Sequence, residues 1–335
     1  MKVRSGTTLG VAGSASCWGA AMDVDLGLVV AGALVGFVVG LTGMGGGALM
    51  TPILVLLFNV PPLTAVSSDL VASLAMKPVG GAVHARRGTV HTSLVKWLVI
   101  GSVPAAFLGV FALRWLGDGR DLEGMVKLLL GGALVLASTT MIVKQYLTMR
   151  DRARAAALGV PSVDDGPLHI RPGPTVALGV VGGLVVGMTS VGSGSLIIIG
   201  LILMYPMLKP NAMVGTDLVQ AIPLVASAAL AHVLFGDFSL ALTTSLLVGA
   251  LPAVYLGARV SSAAPAGIIR RVLVFVLLAS GMKLLGVPNE VLGVALLVAA
   301  PLAPLGWMWL RASHGLPARG PRRTRLPTTV RAAGG

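Results

Sequence analysis

The second half of this chain repeats the first half, as hydrophobic sequence interrupted by glycines at the same places. Five glycines recur 147 positions further on: Gly32, Gly36, Gly40, Gly45 and Gly47 match Gly179, Gly183, Gly187, Gly192 and Gly194. After a one-residue insertion the offset becomes 148, and Asp69 matches Asp217 while His84 matches His232. This duplication predicts two homologous repeats with one architecture, and it makes their junction the place to look for a functional site.

The composition of both repeats indicates a membrane protein. Of the 335 residues, 55% are hydrophobic and 11% are charged, whereas a soluble domain carries about 25% charged residues. Apolar runs about as long as a membrane-spanning helix recur between residues 26 and 310. Because a backbone within lipid has to satisfy its own hydrogen bonds, we predict an all-α, polytopic transmembrane helix bundle in the cell (cytoplasmic or inner) membrane, in contact with the lipid bilayer.

The net charge of +13 does not indicate a nucleic-acid partner. The cations lie in loops and in the tail after Trp309, where the positive-inside bias of cytoplasmic segments accounts for them.

Six regions follow from this pattern. They are an N-terminal extension predicted to be disordered (1–24), a transmembrane repeat (25–147), a cytoplasmic loop (148–173), a second repeat (174–286), an extra transmembrane helix (287–311) and a basic cytoplasmic tail (312–335). The glycines and prolines of 148–173 argue against a long helix there. Met22 is an alternative start, which leaves open whether residues 1–21 belong to the mature protein.

The stretch 26–58 reads either as one long helix or as a helix, a glycine break and a shorter returning helix. Gly43, Gly45, Gly46 and Gly47 lie close together, and each interior glycine costs about 0.5–1 kcal/mol relative to alanine, which favours a break. A break in 175–206 as well places the main basic loops and the basic tail on the cytoplasmic side. Each repeat then crosses the membrane an odd number of times, so we predict that the two repeats are inverted relative to each other.

The two breaks form the first candidate site. They carry Thr42, Gly43, Gly45, Gly46 and Gly47 in the first repeat and Thr189, Ser190, Gly192, Ser193, Gly194 and Ser195 in the second. Glycine lets backbone N–H groups approach a ligand, and a helix that starts after the break adds the positive end of its dipole, so this pattern indicates a substrate-binding site for a small anion. Tight helix packing is the alternative. We assign packing to the stripe Gly32, Gly36 and Gly40 and to its copy.

Further polar residues open predicted helices at matching places: Ser67, Ser68 and Asp69 in the first repeat, Thr216 and Asp217 in the second. Side chains of these types cap helix N-termini. That structural role is about as well supported as a position near the anion.

Lys77 lies in the middle of the apolar segment 64–85, on one helical face with Asp69 and His84. A cation at that depth costs about 2.5–3.5 kcal/mol on insertion scales unless it is paired or faces a cavity, so Lys77 is a substrate-binding candidate. An ion pair with Asp69 and snorkelling to the surface are the alternatives. Val225 stands at the matching position, so any role of Lys77 is confined to one repeat.

His84 and His232 are candidates for proton coupling, because histidine titrates near neutral pH. A histidine bonded to a backbone carbonyl near the membrane surface is the preferred interpretation of both residues.

The sequence contains no His-Glu-x-x-His motif, Walker loop or Gly-x-Ser-x-Gly elbow, and it has one cysteine, Cys17. We therefore predict no enzymatic activity, no cofactor and no metal site, and we expect any transport to be driven by a gradient.

The glycine breaks and the helix starts resemble the TauE/SafE family, also called the sulfite exporter or 4-toluene sulfonate uptake permease family. The resemblance rests on Gly40-Leu-Thr-Gly-Met-Gly-Gly-Gly47, Thr51-Pro52 and Ala65-Val-Ser-Ser-Asp69, together with the matching pattern in the second repeat, and it covers roughly 25–286. It implies polytopic membrane proteins of two repeats that move sulfur-containing anions. The segment 290–310 and the basic tail depart from the family pattern.

Taken together, these features predict a secondary transporter (permease) for a small anion, namely sulfite, an organosulfonate or a related sulfur oxyanion, working by alternating access. A membrane assembly or scaffold protein without transport activity is the alternative, and an intramembrane enzyme has less support. A homo-oligomer is compatible with the sequence.

Overall fold

The fold is a bundle of helices arranged as two matching sets. The computed structural model describes residues 25–42, 46–86, 88, 90–115, 120–158, 170–205, 208, 210–235, 238–260 and 266–313. The first set comprises α1 (Leu26–Thr42), α2 (Gly47–Leu57), α3 (Pro62–Arg86), α4 (Thr92–Trp115) and α5 (Arg120–Leu158). The second set comprises α6 (Pro172–Thr189), α7 (Leu196–Met204), α8 (Pro210–Phe235), α9 (Leu240–Val260) and α10 (Ala266–Leu284), and α11 (Asn289–Ser313) follows it. These described residues contain no strand, which confirms the predicted all-α class.

Both predicted helix breaks are present. In the first repeat α1 ends at Thr42 and α2 begins at Gly47. In the second repeat α6 ends at Thr189, and residues 190–195 separate it from α7. Ser190 turns the chain in the left-handed region, with φ 59°, and Gly192 of the same break also has a positive φ, of 120°.

The predicted loop 148–173 begins later than expected. Helix α5 runs on to Leu158, because arginine and alanine, which favour helix, occupy the residues just beyond 148. The run of glycines and prolines starts at Gly159. The predicted N-terminal extension, residues 159–169 of this loop and most of the basic tail lie outside the described residues.

The glycine stripe of α1 packs against the backbone of α9. A Cβ on Gly32, Gly36 or Gly40 would lie within 2.5 Å of a carbonyl oxygen of α9, on Leu246, Ala250 and Val254 respectively. Positions on both helices rise together by four, so the two helices run parallel at close approach.

The glycine stripe of the second repeat makes the equivalent contact with the first repeat. Gly179, Gly183 and Gly187 of α6 lie against the carbonyl oxygens of Leu98, Ser102 and Ala106 of α4. Each repeat therefore packs its glycine helix onto the fourth helix of the other repeat, and the stripes have the packing role assigned to them from sequence.

The equivalent helices α3 and α8 cross at the centre of the molecule. Ser67 near the start of α3 contacts His232 near the end of α8. Gly81, nearer the end of α3, lies against Ile222 and Leu218 of α8. As residue numbers rise along α3, the numbers of the contacted residues fall along α8. Helices α3 and α8 are therefore antiparallel.

Six helices in the described part of the chain are long and apolar enough to span a membrane. These spans are Thr92–Trp115, Leu122–Arg150, Pro172–Thr189, Ala212–Phe235, Leu240–Val260 and Asn289–Ser313. Helix α1 and helix α2 are apolar but shorter. Helix α11 has no buried residue, so its apolar surface is available to lipid.

Candidate functional site

The two helix breaks touch each other. Gly47, at the start of α2, packs so closely on Ser190 of the second break that a Cβ would lie 2.0 Å from the Ser190 carbonyl oxygen. Only a residue without a side chain permits this approach. Gly47 is therefore required by the contact between the repeats.

A small cavity opens beside this contact. Its volume is about 30 Å³, which exceeds the roughly 10–15 Å³ that a water molecule needs. The second break, the ends of α1 and α2 that flank the first break, and helices α5 and α10 line it, with Val39, Thr42, Ala48, Leu49, Ala137, Met141, Ser190, Gly192, Ser193, Gly194, Ser195, Leu273 and Leu277. Its polar groups are concentrated at the second break, where three serines and two glycines lie in sequence order.

Lys77 reaches the second break from α3. Its Nζ donates a hydrogen bond to Ser193 Oγ at 2.7 Å, and the side chain is 6% exposed. The alternative in which Lys77 snorkels to the surface does not match this position. The ammonium group therefore lies next to a residue that lines the cavity.

Asp69 is fully buried and is surrounded by hydroxyl groups. Thr51 Oγ1 and Ser190 Oγ donate to its Oδ2 at 2.8 and 2.7 Å, and Ser73 Oγ donates to Oδ1 at 3.5 Å. Hydroxyl donors favour the ionised form of a carboxyl group. Asp69 thus ties α2, α3 and the second break together, which is more than the helix cap considered from sequence.

Asp217, the counterpart of Asp69, has different surroundings. Gln220 Nε2 donates to Asp217 Oδ1 at 3.1 Å, and Ser102 Oγ of α4 donates to Gln220 Oε1 at 3.4 Å. Asp217 is 3% exposed. Among the residues that the structure describes, this amide gives its only hydrogen bond.

His232 links the two repeats away from the cavity. Its Nε2 lies 2.8 Å from the carbonyl oxygen of Gly187, and its Nδ1 lies 2.9 Å from Ser67 Oγ. Because a carbonyl oxygen only accepts, Nε2 carries a proton. The preferred interpretation of this residue, a histidine bonded to a backbone carbonyl, matches this geometry, although His232 is fully buried.

The structure brings together many of the residues that the sequence selected. Thr42, Ser190 and Gly192–Ser195 line the cavity. Gly47 contacts Ser190, which lines the cavity. Thr189 accepts a hydrogen bond from the Val191 N–H within the second break. Gly46 packs against Met76 and Ser73 of α3. Gly43, Gly45 and the His84 side chain lie outside the described residues.

Besides Asp69, Lys77 and Asp217, the predicted residues Ser67, Ser68 and Thr216 also lie outside the cavity lining. Ser67 bonds to Leu63 and His232, and Thr216 accepts a hydrogen bond from the His91 N–H at 3.0 Å. Ser68 Oγ is buried with no hydrogen-bond partner among the described residues.

Sequence reasoning missed Thr51, Gln220 and Ser102. Each is a fully buried polar residue within an apolar helix, and an intramembrane polar residue of this kind was the signal that could have identified them. Across the described parts of the chain, no group of three His, Cys, Asp or Glu residues could hold a metal ion.

Comparisons with known proteins agree with this architecture. The family model described as sulfite exporter TauE/SafE matches residues 28–284. The chain is 35% identical over 263 residues to the probable membrane transporter protein YjnA of Bacillus subtilis (strain 168), covering 78% of this chain and 100% of that protein. It is 25% identical over 255 residues to the probable membrane transporter protein YdhB of the same strain, covering 75% and 96%. No solved structure matches the chain.

Proposed function

The chain belongs to the sulfite exporter TauE/SafE family, and we propose that it moves a small anion of the sulfite, organosulfonate or related sulfur-oxyanion class across the cell membrane by alternating access. The family and the named relatives are membrane transporters, so this multi-pass chain is a membrane transporter and not an enzyme. The substrate class and the mechanism are the content of the proposal.

The observation that carries the proposal is the position of Lys77. Its ammonium group is buried and donates to Ser193, a residue of the cavity lining. An intramembrane cation placed at a cavity marks a substrate or ion pathway by default. A single ammonium next to hydroxyl groups suits an anion with several oxygen acceptors, since each oxygen can take a charge-assisted or neutral hydrogen bond.

The second break supplies the rest of the proposed anion site. Ser193, Ser195 and Thr42, which all carry hydroxyl groups, line the same cavity. Helix α7 begins directly after the break, and a helix N-terminus offers N–H groups and a positive dipole end to a negative ligand. The Ser190 hydroxyl already donates to Asp69, so we assign Ser190 and Asp69 to positioning the break.

The arrangement of the repeats supports alternating access. Equivalent helices α3 and α8 are antiparallel, as an inverted repeat requires. The breaks meet where α3 contributes Lys77. Movement of one repeat against the other would open this junction first to one side of the membrane and then to the other.

The experiment is flux in proteoliposomes with the purified full chain. We expect uptake of labelled sulfite or of at least one sulfonate such as methanesulfonate, while an uncharged solute such as glycerol is excluded. Lys77→Met should lower the flux about 100-fold, equivalent to about 2.7 kcal/mol, because a buried hydrogen-bonded charge is worth 2–5 kcal/mol to its partner.

Val225→Met is the matched control, because Val225 occupies the corresponding position of α8 and lies outside the cavity lining. It should fold and keep most of the wild-type flux. If the folded wild-type protein moves none of these anions, or if Lys77→Met moves them as fast as wild type does, the proposal is wrong.

A further inference from the structure

We propose that Asp217 carries a proton whenever an anion occupies the cavity, so that one monoanion and one proton cross the membrane together as an electroneutral pair. This inference rests on the proposed transport function and assigns its coupling ion and its coupling residue.

The inference starts from an imbalance of buried charge. Three charged side chains are buried on the crossing helices α3 and α8. They are Asp69 and Lys77 on α3, which are 0% and 6% exposed, and Asp217 on α8, which is 3% exposed. An ionised group in a membrane interior is costly unless an opposite charge or hydrogen bonds compensate it. Among the buried residues that the structure describes, one ammonium group accompanies two carboxyl groups, so the two cannot be equally stabilised as anions.

Hydrogen bonding separates the two carboxyl groups. Asp69 receives three hydroxyl donors, at 2.8, 2.7 and 3.5 Å, and needs no proton to be satisfied. Asp217 receives one amide hydrogen on Oδ1, and no described residue donates a hydrogen bond to its Oδ2. Of the pair, Asp217 is the carboxyl group that can take up a proton without losing an existing donor.

The amide that bonds Asp217 is held in a fixed orientation. Ser102 of α4 donates to Gln220 Oε1, which turns the Gln220 NH₂ group toward Asp217. The side chain that bonds Asp217 is therefore itself fixed by a residue of the other repeat.

The described ionisable groups near Asp217 lie on several different elements. Lys77 of α3 and Lys144 of α5 both attract the Asp217 carboxylate, and His91, just before α4, bonds through its N–H to the neighbouring Thr216. Helix α4 carries Lys96 near its start and Arg114 near its end, helices α6 and α7 carry no ionisable side chain, and His232 lies further along α8 itself. Lys77 is the buried cation of this group, so an anion that binds Lys77 changes the charge balance at Asp217.

Lys77 cannot serve Asp217 and an anion equally. Its charge attracts both buried carboxylates, and its hydrogen bond points to Ser193 in the cavity lining. An anion at the cavity draws the ammonium charge to itself, and the Asp217 carboxylate then binds a proton from water and becomes neutral. By linkage, a proton on Asp217 strengthens anion binding by the same factor.

This exchange keeps the net charge of the site constant. Without an anion the site holds two carboxylates and one ammonium. With a monoanion bound it holds one carboxylate, the ammonium, the anion and a neutral Asp217. The site carries the same charge in both states, so a transmembrane voltage does no net work on loading it.

The experiment measures what drives methanesulfonate uptake into proteoliposomes containing the full chain. Methanesulfonate stays ionised throughout the working pH range, so any pH dependence belongs to the protein. We expect a pH gradient, alkaline inside, to drive accumulation, with proton uptake followed by a trapped pH dye. A potassium–valinomycin potential at equal pH should not drive accumulation. Methanesulfonate binding to the detergent-purified chain should tighten by up to tenfold for each unit of falling pH.

Variants of two residues locate the proton. Asp217→Asn should bind methanesulfonate with an affinity that no longer changes with pH and should lose accumulation driven by the pH gradient, whereas Asp217→Glu should keep both. His232→Gln should keep the pH dependence. If Asp217→Asn does not fold, the wild-type measurements still test electroneutral coupling.

Each contrary result has a distinct meaning. Wild-type uptake that follows the membrane potential, or Asp217→Asn that keeps the pH dependence, overturns this inference and leaves the proposed anion transport intact. Loss of the pH dependence in His232→Gln moves the proton to His232 and also overturns it. Absence of flux for every anion overturns both proposals.

Discussion

Helices α3 and α8 occupy equivalent places in the two repeats and differ in almost every polar residue around their shared aspartate. Lys77 on α3 corresponds to Val225 on α8, and Ser73 corresponds to Ala221. The amide that bonds Asp217, Gln220, has Ala72 as its counterpart. The duplicated helix has therefore kept its position and its aspartate while the chemistry around that aspartate has diverged.

The glycine stripes show the opposite behaviour. The contact of Gly32 with Leu246 is matched by the contact of Gly179 with Leu98, and the contacts of Gly36 and Gly40 are matched in the same way. The scaffold is thus duplicated faithfully, and the site is not. Variants in the scaffold should have equal effects in the two repeats, whereas variants in the site should not.

The largest expected effect comes from exchanging Lys77 and Val225 between the two helices. In the double variant Lys77→Val/Val225→Lys the lysine moves to α8. Ser193, which accepts the bond from Lys77, has Gly46 as its counterpart in the first break, so the transplanted ammonium finds no hydroxyl partner there. We expect anion flux in proteoliposomes to fall about 100-fold, as in Lys77→Met.

The single variant Val225→Lys shows whether that loss comes from removing Lys77 or from adding a lysine on α8. With Lys77 still present, it should keep measurable flux if the protein folds, because the original anion site is intact. Near-normal flux in the exchanged double variant would show that the two repeats are chemically interchangeable, contrary to the comparison.

The next effect tests the symmetry of the scaffold. A Cβ on Gly249 of α9 would lie 1.9 Å from the carbonyl oxygen of Val29, and a Cβ on Gly101, its counterpart on α4, would lie 2.3 Å from that of Val176. Gly249→Ala and Gly101→Ala should each lower the free energy of unfolding by about 3 kcal/mol, since backbone at both contacts has to move apart. Thermal unfolding in detergent measures both, and a large effect in only one of them would contradict equal packing.

A smaller effect concerns the hydroxyl groups around Asp69. Thr51→Val preserves the shape of the side chain and removes one donor from a fully buried carboxylate. We expect a loss of about 2 kcal/mol in the free energy of unfolding, typical of a hydrogen bond to a charged group. Thr51→Ser retains the donor and should lose less. If wild type and Thr51→Val are equally stable, the Thr51 hydroxyl does not stabilise the Asp69 carboxylate.

Much of the fold could be predicted because its causes are local or repeated. Glycines at matching offsets indicated both breaks and both packing stripes, and long apolar runs indicated the helices. The extension of α5 to Leu158 was missed because apolar patterning ends near 147, whereas the intrinsic helix preference of arginine and alanine does not depend on membrane depth.

The site could be predicted only in part, because its contacts join residues that are distant in sequence. Lys77 was selected as an isolated intramembrane charge, but its partner Ser193 lies 116 positions away. Ser190 was selected as part of a ligand site, and the structure shows its hydroxyl donating to Asp69, 121 positions away. Residue type and depth indicate which side chains are costly to bury, whereas the topology decides which of them compensate one another.

The smallest effect distinguishes glycines that are needed for packing from glycines that are not. Gly131 and Gly132 are neighbours on α5. A Cβ on Gly131 would lie 2.9 Å from Leu285 Cγ and 3.0 Å from the carbonyl oxygen of Gly281, whereas a Cβ on Gly132 meets nothing within 4 Å. Gly132→Ala should raise the free energy of unfolding by about 0.5–1 kcal/mol, because alanine has the higher helix propensity. Gly131→Ala should lower it, because the α5–α10 contact has to widen. Thermal unfolding of both variants and wild type measures these changes. If close helix approach is the reason for glycine in this bundle, the two variants change the free energy of unfolding in opposite directions. Changes in the same direction would show that these glycines are not explained by packing.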